Sequence, residues 1–126
     1  MKKIIIVYGN DLTVLQRRAI EWISEVCFEH TNEYPVCFKY NEEFDAQNAR
    51  LIYLGTKKNN PKVEELSDAT LTKKEEYCIN VRGDVIVIEG FDDAGVLYGA
   101  IDFYHQYIVR YVHQDAQPGY FDMFAW

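Results

Sequence analysis

The chain has 126 residues, 20 acidic against 13 basic side chains and a net charge of −7. That length fits one domain, which buries roughly two thirds of its unfolded surface and needs neither disulfide nor metal to hold a core. The acidic balance argues against nucleic acid and against an anionic membrane surface, since both are bound through clustered Lys and Arg, and no such cluster stands out here. Aromatic residues make up 15%, a surplus that fits a core, a partner interface or a sugar-stacking platform.

Lys3–Tyr8 (KIIIVY) is a continuous apolar run, the pattern of a strand covered on both faces. It is too short for the core of a signal peptide, and no run in the chain approaches membrane-spanning length. Gly9, Asn10 and Asp11 break the strand, and Asn10 or Asp11 can cap the helix that follows. Leu12, Leu15, Ala19, Trp22, Ile23, Val26 and Cys27 recur at three- and four-residue steps and make its apolar face, with Gln16, Arg17, Glu21 and Glu25 opposite. Thr31 and Asn32 end it.

Residues 34–40 alternate, with Pro35 suited to a strand start or a sheet edge. A polar loop over 41–48 leads to a buried strand over 49–54, closed by Gly55 and Thr56. Asn60 and Pro61 begin a short helix with Val63 and Leu66 facing inward. Residues 75–81 alternate again, Arg82, Gly83 and Asp84 make a tight turn, and 85–89 pair back as a hairpin. Phe91, Asp92 and Asp93 lead into a last helix over 94–109. The expected order is β-α-β-β-α-β-β-α, an α/β (α+β) domain with a mixed sheet layered by helices.

Candidate chemistry is sparse. Asp92 and Asp93 form an adjacent acidic pair, but carboxylates at a helix start are what its free N–H groups and dipole favour. Glycosidase carboxylates stand several ångströms apart on separate elements. His30, His105 and His113 lack metal-ligand spacing, so no metal is expected. Ser24 and Ser67 lie in no nucleophile motif. Cys27, Cys37 and Cys78 read as buried reduced thiols, and a Cys27–Cys37 pair would require the helix and strand to bring them together. The string Arg82-Gly83-Asp84 matches an integrin-binding tripeptide, but a glycine-containing hairpin turn accounts for it. The loop after the first strand has one glycine and an aspartate where a phosphate cradle wants several glycines or hydroxyls, which weakens a flavodoxin-like nucleotide or redox reading; no cofactor is expected. Gly95 and Gly99 lie four apart on one helix face, each costing about 1 kcal/mol against alanine, a pattern that suits close backbone packing. Tyr98, Ile101, Tyr104, His105 and Ile108 extend that helix's contact surfaces.

The string over 86–107, IVIEGFDDAGVLYGAIDFYHQY, with LIYLGTKKNNP over 51–61, resembles the small α/β domain that precedes the catalytic barrel in α-glucuronidases and β-N-acetylhexosaminidases. The matching positions are Gly55, Thr56, Gly90, Asp92, Asp93, Gly95, Tyr98 and Gly99, all structural in the resemblance. The resemblance covers residues 1–110. It implies a non-catalytic accessory domain of a carbohydrate-active glycoside hydrolase, inert alone and packed on a catalytic barrel of the same parent chain. It carries over no catalytic residue, cofactor or metal. Residues 111–126, with Tyr120, Phe121, Phe124 and Trp126, would be an irregular tail or the start of a linker. The compartment is left open, a periplasmic or extracellular parent being compatible. A carbohydrate-binding module is the rival that the aromatic surplus supports, through Trp22, Tyr104, Tyr107 and Trp126.

Overall fold

The structure, a computed structural model, describes residues 2–105. Its elements are β1 (Lys3–Tyr8), α1 (Val14–Thr31), β2 (Val36–Lys39), β3 (Ala49–Gly55), α2 (Pro61–Leu66), β4 (Tyr77–Arg82), β5 (Val85–Gly90) and α3 (Asp93–Phe103). They build one five-stranded mixed sheet in the order β2-β1-β3-β5-β4. β2, β1, β3 and β5 are parallel, and β4 runs antiparallel to β5 as the near arm of a hairpin. The expected end of the last helix near Val109, and the tail with His113, Tyr120, Phe121, Phe124 and Trp126, lie outside the described residues.

The apolar run of β1 is explained by its place in the sheet. It pairs with β2 on one side and β3 on the other, and Ile4, Ile5, Ile6 and Val7 are all buried. Alternate residues feed two clusters. Ile4, Ile6, Ile52, Leu54, Ile86 and Ile88 face α1 and α3, and they meet Ala19, Ile23, Val26, Val96, Ala100 and Phe103 in the main core. Ile5, Val7 and Ala49 face the other way, against Phe38, Tyr40, Phe44, Leu51 and Tyr53. Some of the aromatic residues form ring pairs: Phe28 stacks on Tyr34 at 4.6 Å and Phe38 on Phe44 at 4.9 Å.

Several readings of the sequence are corrected. α1 is capped by Thr13, whose hydroxyl accepts from Gln16 N, and not by Asn10 or Asp11. Its inward stripe is rotated: Gln16 and Ile20 are buried, while Leu15 and Trp22 are 36% and 39% exposed. The physical reason is α3, which lies beside α1 on the same face and draws one edge of the stripe toward itself while leaving the outer edge to solvent. Cys27 is buried as expected, but Cys37 is exposed on edge strand β2 and Cys78 is half-buried. All three are free thiols. Asn32 ends α1 in the left-handed conformation, φ 61°.

The β4–β5 turn is two residues long, with Gly83 at φ 61°. The Asp84 carboxylate is held by Lys2 Nζ at 2.5 Å and Arg50 Nε at 3.2 Å, which lower its pKa below the usual carboxylate range. Asp84 therefore ties the hairpin turn to the starts of β1 and β3, and is engaged within the fold.

α3 seats very close to this hairpin. A Cβ on Gly95 would stand 2.4 Å from the carbonyl oxygen of Glu76, and one on Gly99 would stand 2.9 Å from Ile88 Cγ2. The two absent side chains are what let the helix rest on β4 and β5. Tyr77 Oη then donates to Asp102 Oδ2 at 2.6 Å, locking strand to helix. That bond, with burial and the Asp102 charge, pushes the Tyr77 phenol up to about 12.

Gly95→Ala and Gly99→Leu are each expected to cost about 1–3 kcal/mol in urea denaturation, because each overpacks a closed contact. A native melting curve for either would show that α3 can lift from the hairpin without loss. Because the folded pKa of Tyr77 is raised, its contribution is complete below the ordinary tyrosine value of about 10 and is lost as pH climbs toward the folded value. Ultraviolet titration of phenolate should show a late step near 12 that Tyr77→Phe removes.

Candidate functional site

The carboxyl ends of β1, β3 and β5 open on one side of the sheet, where open α/β sheets place their ligands. Two recesses lie there. The first sits where the strand order reverses, between the loops after β1 and β3. It measures about 260 Å³ and is lined by Asn10, Asp11, Thr13, Lys58, Asn59 and Asp93 among others. The second lies between the loops after β3 and β5, measures about 490 Å³, and includes Thr56, Lys57, Lys58, Thr70, Glu89 and Phe91.

The first recess is stitched together from within. Asn10 N donates to Asn59 O at 2.7 Å, and Asn59 Nδ2 donates to Asp11 O at 3.0 Å. Asn59 Oδ1 accepts from both the amide and the hydroxyl of Thr56, each at 3.0 Å. Asn60, fully buried, donates to Leu54 O at 2.8 Å and Val7 O at 3.3 Å, joining the ends of β3 and β1. Its Oδ1 accepts from Lys62 N at 3.1 Å and so caps α2. Gly9 is needed because any Cβ there would lie 2.3 Å from Asn59 O. The loop groups that would cradle a phosphate are bound to one another, and Asp11 and Asp93 add negative charge. The geometry runs against the nucleotide and flavin reading.

Asp92 and Asp93 diverge. Asp92 is the N-cap of α3, accepting from Gly95 N at 2.9 Å, and it also accepts from Glu75 N at 3.2 Å. Asp93 turns to α1, where its Oδ1 accepts from Gln16 Nε2 at 2.8 Å. Gln16 is fully buried, and its Oε1 has no hydrogen-bond partner among the described residues. The amide sits where a polar residue is expected outside because it bridges the two helix starts. The two carboxylates are thus helix-start groups with separate partners and do not face a common substrate position.

The remaining expected groups do not converge. Gly55, φ 146°, and Thr56 close β3, Gly90 closes β5, and Tyr98 is 44% exposed on α3. His30 lies in the last turn of α1, and His105 stands beside the Tyr104 ring at 5.2 Å. Among the described residues no three His, Cys, Asp or Glu side chains gather as a metal site, and no helix is long and apolar enough to cross a membrane. The Cys27 thiol is pushed up to about 12 by burial, with Cys37 adding to the effect, so it is protonated at neutral pH and a poor nucleophile.

Sequence reasoning passed over Glu89. It is the penultimate residue of the otherwise apolar strand VIVIEG, is 3% exposed, and its carboxylate accepts from Ser67 Oγ at Oε1 while Oε2 stands 4.0 Å from Lys57 Nζ. Lys57 itself donates to Ala69 O at 2.6 Å. The signal that could have found it was present: one acid closing a strand that is otherwise wholly apolar. What hid it was that its partners come from residues 57 and 67, which no local pattern links to it.

No family model and no curated protein matches the chain. Among solved structures it is similar to a GH138 enzyme targeting pectin rhamnogalacturonan II, at 24% identity and a TM-score of 0.54. The match covers 82% of this chain and 10% of that enzyme, so the chain spans about a tenth of the length of the protein it resembles. The likeness is one of fold: this mixed α/β unit is found within a glycoside hydrolase.

Asn60→Ala should lower stability by about 2–4 kcal/mol, since it leaves two strand-end carbonyls and an α2 N–H without their partner. Urea denaturation reads this directly. Retention of wild-type stability would show that the corner between β1 and β3 does not depend on the side chain.

Proposed function

We propose that this chain is a non-catalytic accessory domain of a carbohydrate-active glycoside hydrolase, packed against a catalytic barrel. The observation that carries the reading is the match to about a tenth of a much larger glycoside hydrolase, by a fold whose own paired carboxylates are engaged in structure. The Gly90, Asp92, Asp93, Gly95, Tyr98 and Gly99 string, with Gly55 and Thr56, supports the finer assignment to the domain that precedes the barrel in α-glucuronidases and β-N-acetylhexosaminidases.

The helix layer supports a docking role. A groove of about 480 Å³ runs between α1 and α3, lined by Trp22, Leu97 and Ile101 together with Arg18, Glu21 and Glu25. Trp22 meets Tyr104 edge-on at 5.8 Å, yet stays 39% exposed, and Tyr98 and Leu15 are exposed on the same two helices. Apolar side chains in a groove bordered by charge support its use as a docking face.

On this reading the isolated chain hydrolyses neither aryl glycosides nor glucuronides; turnover at enzyme-like rates by contaminant-free protein would overturn it. Docking can be read by fluorescence. In a Trp126→Phe background Trp22 is the sole tryptophan. Its emission should shift to the blue, and become shielded from acrylamide, when the chain is co-expressed with the catalytic barrel encoded in its reading frame or beside it. Unchanged quenching in a verified complex would remove the helix groove as the docking face.

A further inference from the structure

We propose that the recess between the β3–α2 and β5–α3 loops binds a pyranosyl unit through Glu89 and Phe91. The choice of a sugar rests on the carbohydrate-active reading above; the site itself rests on the geometry. Glu89 is only 3% exposed at the end of a parallel strand, in a cleft of about 490 Å³. Burying a carboxylate is costly unless its lone pairs are used. Oε1 is used by Ser67 Oγ. Oε2 has Lys57 Nζ at 4.0 Å, close enough to offset charge but too far for a hydrogen bond. A carboxylate oxygen with acceptor capacity, facing a cleft and charge-balanced by a lysine, accepts hydroxyl protons.

The rest of the cleft complements that acceptor. Phe91, the residue after β5, is 46% exposed although its backbone N–H is tied to Glu76 O at 2.9 Å. A large ring held by its own backbone at a cleft mouth offers a flat apolar face of the kind on which the C–H face of a pyranose stacks. Thr70 adds a side-chain hydroxyl, the Thr56 hydroxyl being held by Asn59, and Lys58 adds a donor and a positive charge that also suits a uronate carboxylate. One carboxylate acceptor, one aromatic face and the two donors of Thr70 and Lys58 are the complement of a ring with adjacent hydroxyls. The shared ligand chemistry is therefore the pyranosyl ring, and neutral and acidic sugars are its two sources.

The test is a two-dimensional ¹⁵N–¹H titration of the full chain with the methyl glycosides of galactose, glucose and rhamnose, and with galacturonate, each into the millimolar range. The expected result is saturable shifts confined to the amides around Thr56, Lys57, Thr70, Glu89 and Phe91 with at least one of these probes. A stronger response to galacturonate assigns the site to acidic sugars, and a response to the methyl glycosides alone assigns it to neutral ones. Phe91→Ala should keep the melting temperature, because the ring is exposed, and weaken binding roughly tenfold. Glu89→Gln should also weaken binding, with the Phe91 variant as the control if that substitution unsettles the fold. No saturable shift with any probe, shifts mapping elsewhere, or binding undiminished in Phe91→Ala would overturn the proposal. This outcome is separate from the Trp22 experiment, which reads a different claim about the helix layer and can fail or succeed independently.

Discussion

The close seating of α3 on the β4–β5 hairpin is the constraint on which the rest of this domain depends. Gly95 brings the helix start against the Glu76 carbonyl, Gly99 brings its middle against Ile88, and Tyr77 fastens its far end through Asp102. With α3 held there, Asp93 is within reach of Gln16, and the two long helices share one core with Ile52, Leu54, Ile86 and Ile88. The outer groove with Trp22, Leu97 and Ile101 is a consequence of the same placement. So is the position of Phe91, which lies between the end of β5 and the capped start of α3.

A second constraint acts at the carboxyl edge of the sheet. Asn59 and Asn60 bind the loops after β1 and β3 to each other, using amides and carbonyls that a ligand would otherwise address. In many open α/β domains the reversal of strand order leaves a usable crevice. Here the crevice is filled by side-chain amides, and the neighbouring opening between β3 and β5 holds the buried charge instead. The domain thus presents two distinct surfaces, an apolar groove on its helix layer and a polar cleft at the sheet edge. A domain that packs on an enzyme through one and meets sugar through the other would need no catalytic group of its own.

Much of the fold was legible because its signals are local. The apolar run of β1, the Asn60-Pro61 start of α2, the Gly83 turn and the acidic start of α3 each follow from residues adjacent in the chain, and the structure realises all of them. The readings that failed needed knowledge of neighbours. Gln16 was placed outside because a polar residue with no partner in sight belongs in water; α3 supplies the partner. Cys37 reads as buried because a free thiol acts as a small apolar residue; β2 proves to be an edge, and there the thiol is exposed. Thr13 won the cap over Asn10 and Asp11 because those two residues are held by the β3–α2 loop.

The amino-acid sequence by itself determined the element order, the α/β class, the helix caps set by short-range chemistry apart from that of α1, and the glycine face of α3, since each is a matter of periodicity or of backbone groups a few residues apart. Only the tertiary structure decided that Glu89, Lys57 and Ser67 meet, that Asn59 and Asn60 close the strand-order crevice, and that Trp22 stays in solvent. Those are contacts between segments tens of residues apart, and their existence depends on which strands are neighbours and which helix lies beside which. That ordering is chosen by the packing of the whole core, and no window of sequence contains it.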